Sequence, residues 1–281
     1  MRRAPRETAT CAEGHADDTL SAFGDASVED RRMNLPFDLG PLGAAFMVVA
    51  FFAAAFVRGY SGFGFGALVV SAGALVMNPL HLVAVAIIGD LILSLQQWHG
   101  VRHQIDWRRV LTLFAGSVIG LPLGLWALTT ITEDLARAVI ALYVLGMCLA
   151  LLLGWTLTAR AGTPMTFGTG AVSGVANAAG VGGLPVVVFF AAQTMAPVVF
   201  RATLIAYFML LDLWTIPLLL HRGLISGDTL VVLVVALPLF VLGAWTGGRR
   251  FLRTEPREFR RFAIILLMAL ALSGLVKALW P

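Results

Sequence analysis

The chain has 281 residues, 59 % of them hydrophobic and only 13 % charged, with a formal net charge of +4. A soluble domain is about 45–50 % apolar and about 25 % charged, so this excess cannot hide in a core of ordinary size, and lipid must solvate much of the surface. The basic balance does not point to nucleic acid, because the arginines fall in short loops between apolar segments and the aromatic residues mainly inside those segments.

From the N-terminus, residues 1–38 are polar, small and mixed in charge. They hold no continuous apolar core, so they read as a disordered tail rather than a signal peptide. Met33 opens the run MNLPFDLGP, which leads straight into the first apolar segment, and is a candidate start. Apolar segments then follow at about 42–57, 66–77, 80–99, 109–130 and 135–154. A second set lies at about 166–178, 184–195, 197–220, 229–248 and 261–279. A helix needs about 20 residues to cross the hydrocarbon. The first two segments of each set are shorter, and either cross at a thin place or pair as a re-entrant hairpin. Cys11 lies in the polar tail and Cys148 in an apolar segment, which makes neither a disulfide nor a metal pattern.

The two sets read as copies, residues 39–158 and 159–281. At an offset of 118, Gly62 and Gly64 meet Gly180 and Gly182, Pro79 meets Pro197, and His103 meets His221. Both prolines follow the second short segment, where Pro suits the first turn of a new helix. At 124, Arg137 meets Arg261. Loop charge sets the orientation. Residues 102–109 carry three arginines against Asp106, and residues 249–261 carry six arginines against two glutamates. Positive loops stay cytoplasmic, so an even number of crossings separates these two. Six spans satisfy this, as do four spans with a hairpin. Each half then crosses an odd number of times and is inverted relative to the other. The same count puts the N-terminus outside, against five arginines in residues 1–32. The expectation is an all-α, polytopic integral membrane protein with 8–10 transmembrane segments and short helices broken at glycine clusters. Trp98, Trp107, Trp155 and Trp280 lie near segment ends, as interfacial indoles do, whereas Trp126, Trp214 and Trp245 read as packing residues.

Within the membrane, glycines follow two patterns. Gly116, Gly120 and Gly124, Gly170 with Gly174, and Gly243 with Gly247 keep four-residue spacing, which suits close helix packing. Gly59, Gly62, Gly64 and Gly66 are too dense for one helix face, and NAAGVGGLP at 177–185 repeats the feature with Gly180, Gly182 and Gly183. No alternating strand precedes them, which rules out a nucleotide-binding loop. A broken helix exposes N–H groups beside the positive end of the next helix, and such groups bind anions. Across residues 39–101 and 161–221 the only full charges are Arg58, Asp90, Arg201 and Asp212. Charges at membrane depth mark functional sites. Arg58 either serves an anion or snorkels to the interface. Asp90 and Asp212 either pair with the arginines or couple a proton. Ser61, Ser173, Asn177, Gln96, Gln97 and Gln193 read first as interhelical hydrogen-bonding groups. Gly59-Tyr60-Ser61-Gly62 also matches G-x-S-G of intramembrane serine proteases, but the candidate histidines His81, His99, His103 and His221 lie near segment ends or loops.

The stretches RGYSGFGFGALVVSAGALVMNP and GAVSGVANAAGVGGLPVVVF resemble the sulfite exporter TauE/SafE family, and the likeness runs over most of residues 42–279 with the duplication. The resemblance implies a secondary transporter, not an enzyme, for sulfite, sulfonates or related anions across a cytoplasmic (inner) membrane. No metal and no cofactor is expected. The partners are a small anion and the bilayer, and the oligomeric state stays open. On that reading the substrate-binding set is Arg58, Ser61, Gly62, Gly64, Asn177, Gly180, Gly182 and Arg201, with Asp90 and Asp212 as coupling or ion-pair residues. The alternatives are a structural membrane subunit whose glycines only pack helices, and an intramembrane hydrolase using Ser61.

Overall fold

The computed structural model describes residues 40–153, 161–193 and 195–251, together with Met268 and Leu272. The tail at 1–38, Cys11, Trp155, the loop beyond Phe251, Trp280 and all but two residues of the tenth apolar segment lie outside the described residues. No strand occurs among the described residues. The helices are α1 Pro41–Ser61, α2 Phe65–Gly73, α3 Pro79–Val101, α4 Trp107–Thr130, α5 Glu133–Leu153, α6 Thr163–Asn177, α7 Gly183–Ala191, α8 Pro197–His221 and α9 Gly227–Phe251. A 3₁₀ turn, Arg102–Gln104, joins α3 towards α4.

Six of these, α1, α3, α4, α5, α8 and α9, are long and apolar enough to cross a membrane. Three of the four short segments remain short, α2 and α7 with nine residues each and α6 with fifteen, but the first, 42–57, belongs to the 21-residue α1, because the helix continues through Arg58 to Ser61 before the glycines break it. At 1.5 Å per residue, nine residues reach only about 14 Å, so α2 and α7 end inside the bundle. Pro79 and Pro197 each occupy the first turn of a long helix. The Asn78 side chain caps α3 by accepting from Leu80 N at 2.9 Å, and Asp106 caps α4 by accepting from Arg109 N at 3.2 Å. Leu42, Leu123, Leu153 and Val234 are exposed, as a lipid-facing surface requires. Trp126, Trp214 and Trp245 are exposed as well, so they cover the outer surface instead of filling the core. Their segments are apolar all round, and composition cannot tell the inner face of such a helix from the outer.

Two close pairs of parallel helices frame the bundle, α4 with α6 and α1 with α9. In the first, Gly116, Gly120 and Gly124 abut the backbone at Phe167, Ala171 and Val175 in turn. In the second, Gly243 abuts Phe52 and Ala55, and Gly247 abuts Phe56 and Tyr60. A methyl at these glycines would enter the facing backbone, which is the close approach that four-residue glycine spacing permits. Between the pairs, α3 and α8 cross antiparallel. Gln97, late in α3, accepts from Arg201, early in α8, and Val83 and Ile87, early in α3, cluster with Leu219, late in α8. The arginine-bearing ends gather together. Trp98 meets Trp107 with ring centroids 6.2 Å apart, Asp106 N donates to Thr203, and Gly59 and Tyr60 at the end of α1 meet Arg201 and Gly247. The 102–109 connection and Arg249–Arg250 therefore lie at one end of the bundle.

Candidate functional site

Both glycine clusters break helices. The first break has Gly62 at φ 81° and Gly64 at φ 92°, a left-handed backbone that only glycine adopts without strain. There α1 ends and α2 starts in a new direction. The second break needs the left-handed region at one position, Gly180 with φ 73°; Gly182 is right-handed. Gly182 is instead required by space, because a side chain would strike Asn177 and the Ser173 carbonyl. The two breaks meet: Gly66 lies directly against the Gly180 carbonyl, so the starts of α2 and α7 converge at the centre of the bundle.

A cavity of about 30 Å³ lies between them, room for roughly two waters. Its walls are the start of α2 (Gly64, Phe65, Gly66), the second break and the start of α7 (Asn177, Gly180, Gly183, Leu184), Asp90 of α3, and Phe208 and Asp212 of α8. N–H groups in the first turn of a helix have no intrahelical partner, and both helices turn that end, with its positive partial charge, towards the cavity.

The first break is held by charge. Arg58 is fully buried. Its Nε donates to Asp90 Oδ1 at 2.5 Å, and Nη2 donates to Asp90 Oδ2 at 3.2 Å and to Ser94 Oγ at 2.8 Å. Nη1 donates to the Gly62 carbonyl, and the guanidinium carbon lies 5.1 Å from the Phe208 ring centroid. Arg58 thus does not snorkel. It is an interior cation paired with Asp90, which is the ion-pair reading for that carboxylate. A buried pair of this kind is costly to break, because removing one partner strands the other.

The second break is held by neutral groups. Ser173 Oγ donates to the Gly182 carbonyl at 2.5 Å. Tyr207 bonds Ser173 and Ser117, each at 2.7 Å, and Asn177 Nδ2 donates to Thr215 Oγ1 at 2.9 Å. Arg58 has Ala176 as its counterpart at the offset of 118, and Asp90 has Phe208.

Of the ten residues named from the sequence, Gly64, Asn177, Gly180, Asp90 and Asp212 line the cavity. Arg58, paired with Asp90, donates to the Gly62 carbonyl and holds the first break. Gly182 is covered by Ser173 and Asn177. Ser61 spends its hydroxyl on backbone, donating to Val57 O at 2.7 Å with Phe63 O at 3.0 Å. Arg201 does not line the cavity; it packs on Gly62, with Nη2 donating to Gly59 O at 2.8 Å and Gln97 Oε1 at 2.9 Å. Sequence reasoning missed Ser94 and Phe208, and it named Gly183 in the second glycine cluster without placing it in the binding set. Ser94 could have been found, since it sits one helical turn after Asp90 and shares its face.

A family model described as Sulfite exporter TauE/SafE matches residues 46–274. No curated protein and no solved structure gave a significant match.

Proposed function

Since the chain belongs to the sulfite exporter TauE/SafE family, a family of transporters and not of enzymes, we propose that it carries a small sulfur oxyanion or organosulfonate across the cytoplasmic membrane through the cavity between the two helix breaks. The observation that carries this reading is the convergence of two helix starts on one cavity at the centre of an apolar bundle. Backbone N–H groups at such starts suit the oxygens of an oxyanion. The Arg58–Asp90 pair is neutral as a unit, so it fixes the first break without cancelling the positive ends of α2 and α7. Asn177 offers an amide to the bound oxygens. Arg58, Ser61, Gly62 and Gly182 shape the backbone, and Arg201 marks the approach from the arginine-rich end.

Glycines that only pack helices do not explain this region. The packing glycines lie along α4, α6 and α9, whereas Gly62, Gly64 and Gly180 take left-handed conformations that helix packing does not call for. Exchanging the halves turns the α1–α9 pair into α6–α4 and reverses the run of each, and α3 crosses its counterpart α8 antiparallel. These directions support inverted repeats, an arrangement that lets a central site open to either side in turn. The gathering of the 102–109 connection and Arg249–Arg250 at one end supports a cytoplasmic placement of that end.

The test is anion exchange in proteoliposomes, with radiolabelled sulfite and a panel of sulfonates, comparing wild type with Gly66→Ala. Saturable exchange in wild type and its loss in the folded variant would support the cavity. Wild-type exchange in Gly66→Ala would place the path elsewhere.

A further inference from the structure

One charge in the cavity has no part in the anion-binding scheme. Asp212 is 2 % exposed, lines the cavity, and has its Oδ2 buried without a hydrogen-bond partner among the described residues. A carboxylate excluded from water is strongly destabilised unless it is paired. Among the described residues its surroundings supply no cation of its own. From α3 it faces Asp90, and behind Asp90 lies Arg58 of α1, whose guanidinium is engaged by Asp90, Ser94 and Gly62. On α8 itself Tyr207 is the titratable neighbour. The groups offered by α4 and α6 in this region, Ser117 and Asn177, are neutral, and α7 offers backbone. The duplication shows how this arises. At the offset of 118, Asp212 stands where the first half has Ser94, and Ala176 stands where the first half has Arg58. The second half has gained a carboxyl group without the arginine that would pair with it.

The same carboxyl group faces the starts of α2 and α7, where the anion is placed. An oxyanion and an ionised carboxylate cannot both occupy so small a cavity, walled by Phe65, Leu184 and Phe208, without strong repulsion. A protonated carboxyl group removes the repulsion and adds a donor to an oxyanion oxygen, the role a neutral carboxylic acid plays in apolar oxyanion sites. We propose that Asp212 is the proton carrier of this transporter, taking one proton on its unpartnered carboxylate oxygen before the anion enters the cavity, holding it while the anion is bound and releasing it where the anion leaves, so that proton and anion cross in the same direction. Only an O–H bond forms and breaks, and the anion itself is unchanged. The inference rests on the anion-transport reading above.

Two measurements on the full chain test it. The first is infrared difference spectroscopy of the purified protein at neutral pH. A deuterium-sensitive C=O band of a protonated carboxyl group is expected in wild type, shifted on adding sulfite, and lost in Asp212→Asn with an unchanged size-exclusion profile. A wild type without that band, or a band that survives in Asp212→Asn, would overturn the proposal whether or not sulfite is a substrate. The second follows sulfite and proton entry together, with a trapped pH dye and protein-free vesicles as the baseline. Wild type should show proton entry accompanying sulfite, Asp212→Asn should fall to the baseline for proton entry, and Asp212→Glu should restore it. Proton entry that persists in Asp212→Asn, or sulfite entry driven by a sodium gradient and indifferent to a pH gradient, would also overturn it. If wild type moves neither sulfite nor any sulfonate, the transport reading fails, and the infrared band still reports on Asp212.

Discussion

The two helix breaks do the same geometric work with different chemistry. Each ends one helix, admits the start of a short one, and turns that start towards the common cavity. The first is fastened by a guanidinium that bonds a carboxylate, a hydroxyl and the backbone of the break itself. The second is fastened by hydroxyls and an amide, with Ser173, Tyr207, Ser117, Asn177 and Thr215 in succession. On the repeat reading, the two halves share where the backbone must bend but not how the freed polar groups are satisfied. That freedom lets one half hold a compensated charge pair while the other leaves Asp212 in the cavity without a cation among the described residues.

The comparison is broken most strongly at the charged fastening. Arg58→Gln strands Asp90 in the interior, and breaking a buried pair costs about 3–5 kcal/mol, so a large fall in thermal stability in detergent is expected, with loss of transport. Adding Asp90→Asn should recover part of that loss, because the stranded charge is then gone; double-mutant thermal unfolding gives the coupling directly. Arg58→Lys should fall between, since an ammonium lacks the planar fork that reaches Asp90 and Ser94 together. Equal stability of Arg58→Gln and wild type would remove the pair from any fastening role.

The contact between the breaks comes next. Gly66→Ala drives a methyl towards the Gly180 carbonyl, and overpacking of this kind costs about 1–3 kcal/mol. The expected result is a folded but less stable protein whose anion exchange is lost. The neutral fastening should be softer still. Tyr207→Phe removes the bonds to Ser117 and Ser173, and hydrogen bonds of this sort contribute about 0.5–1.5 kcal/mol each. Its melting shift should be well below that of Arg58→Gln; a larger one would invert the ranking of the two breaks. The gentlest probe perturbs neither break. Single cysteines at His103 and Arg250 should both resist membrane-impermeant thiol reagents in intact cells, and labelling of only one would defeat the shared cytoplasmic end.

The sequence by itself determined the helices and their limits. Apolar runs without charge, two prolines at helix starts and glycines too dense for one helix face place α1 to α9 within a few residues, because propensity, capping and backbone freedom act locally. It also separated packing glycines from breaking ones by spacing alone, and the facing backbones at Gly120 and Gly247 follow that division. The four interior charges were legible as exceptions in apolar sequence. Their pairing was not. Arg58 is 32 residues from Asp90 and 154 from Asp212, and only the crossing of α1 with α3 decides which carboxylate it meets. The tertiary structure likewise decided that the breaks touch at Gly66 and Gly180, that Phe208 closes the cavity, and that Trp126 and Trp245 face outward. In a chain this apolar the pattern of hydrophobicity no longer distinguishes inside from outside, so the facing of each helix is set by the fit of small residues and the satisfaction of a few polar groups across distant segments.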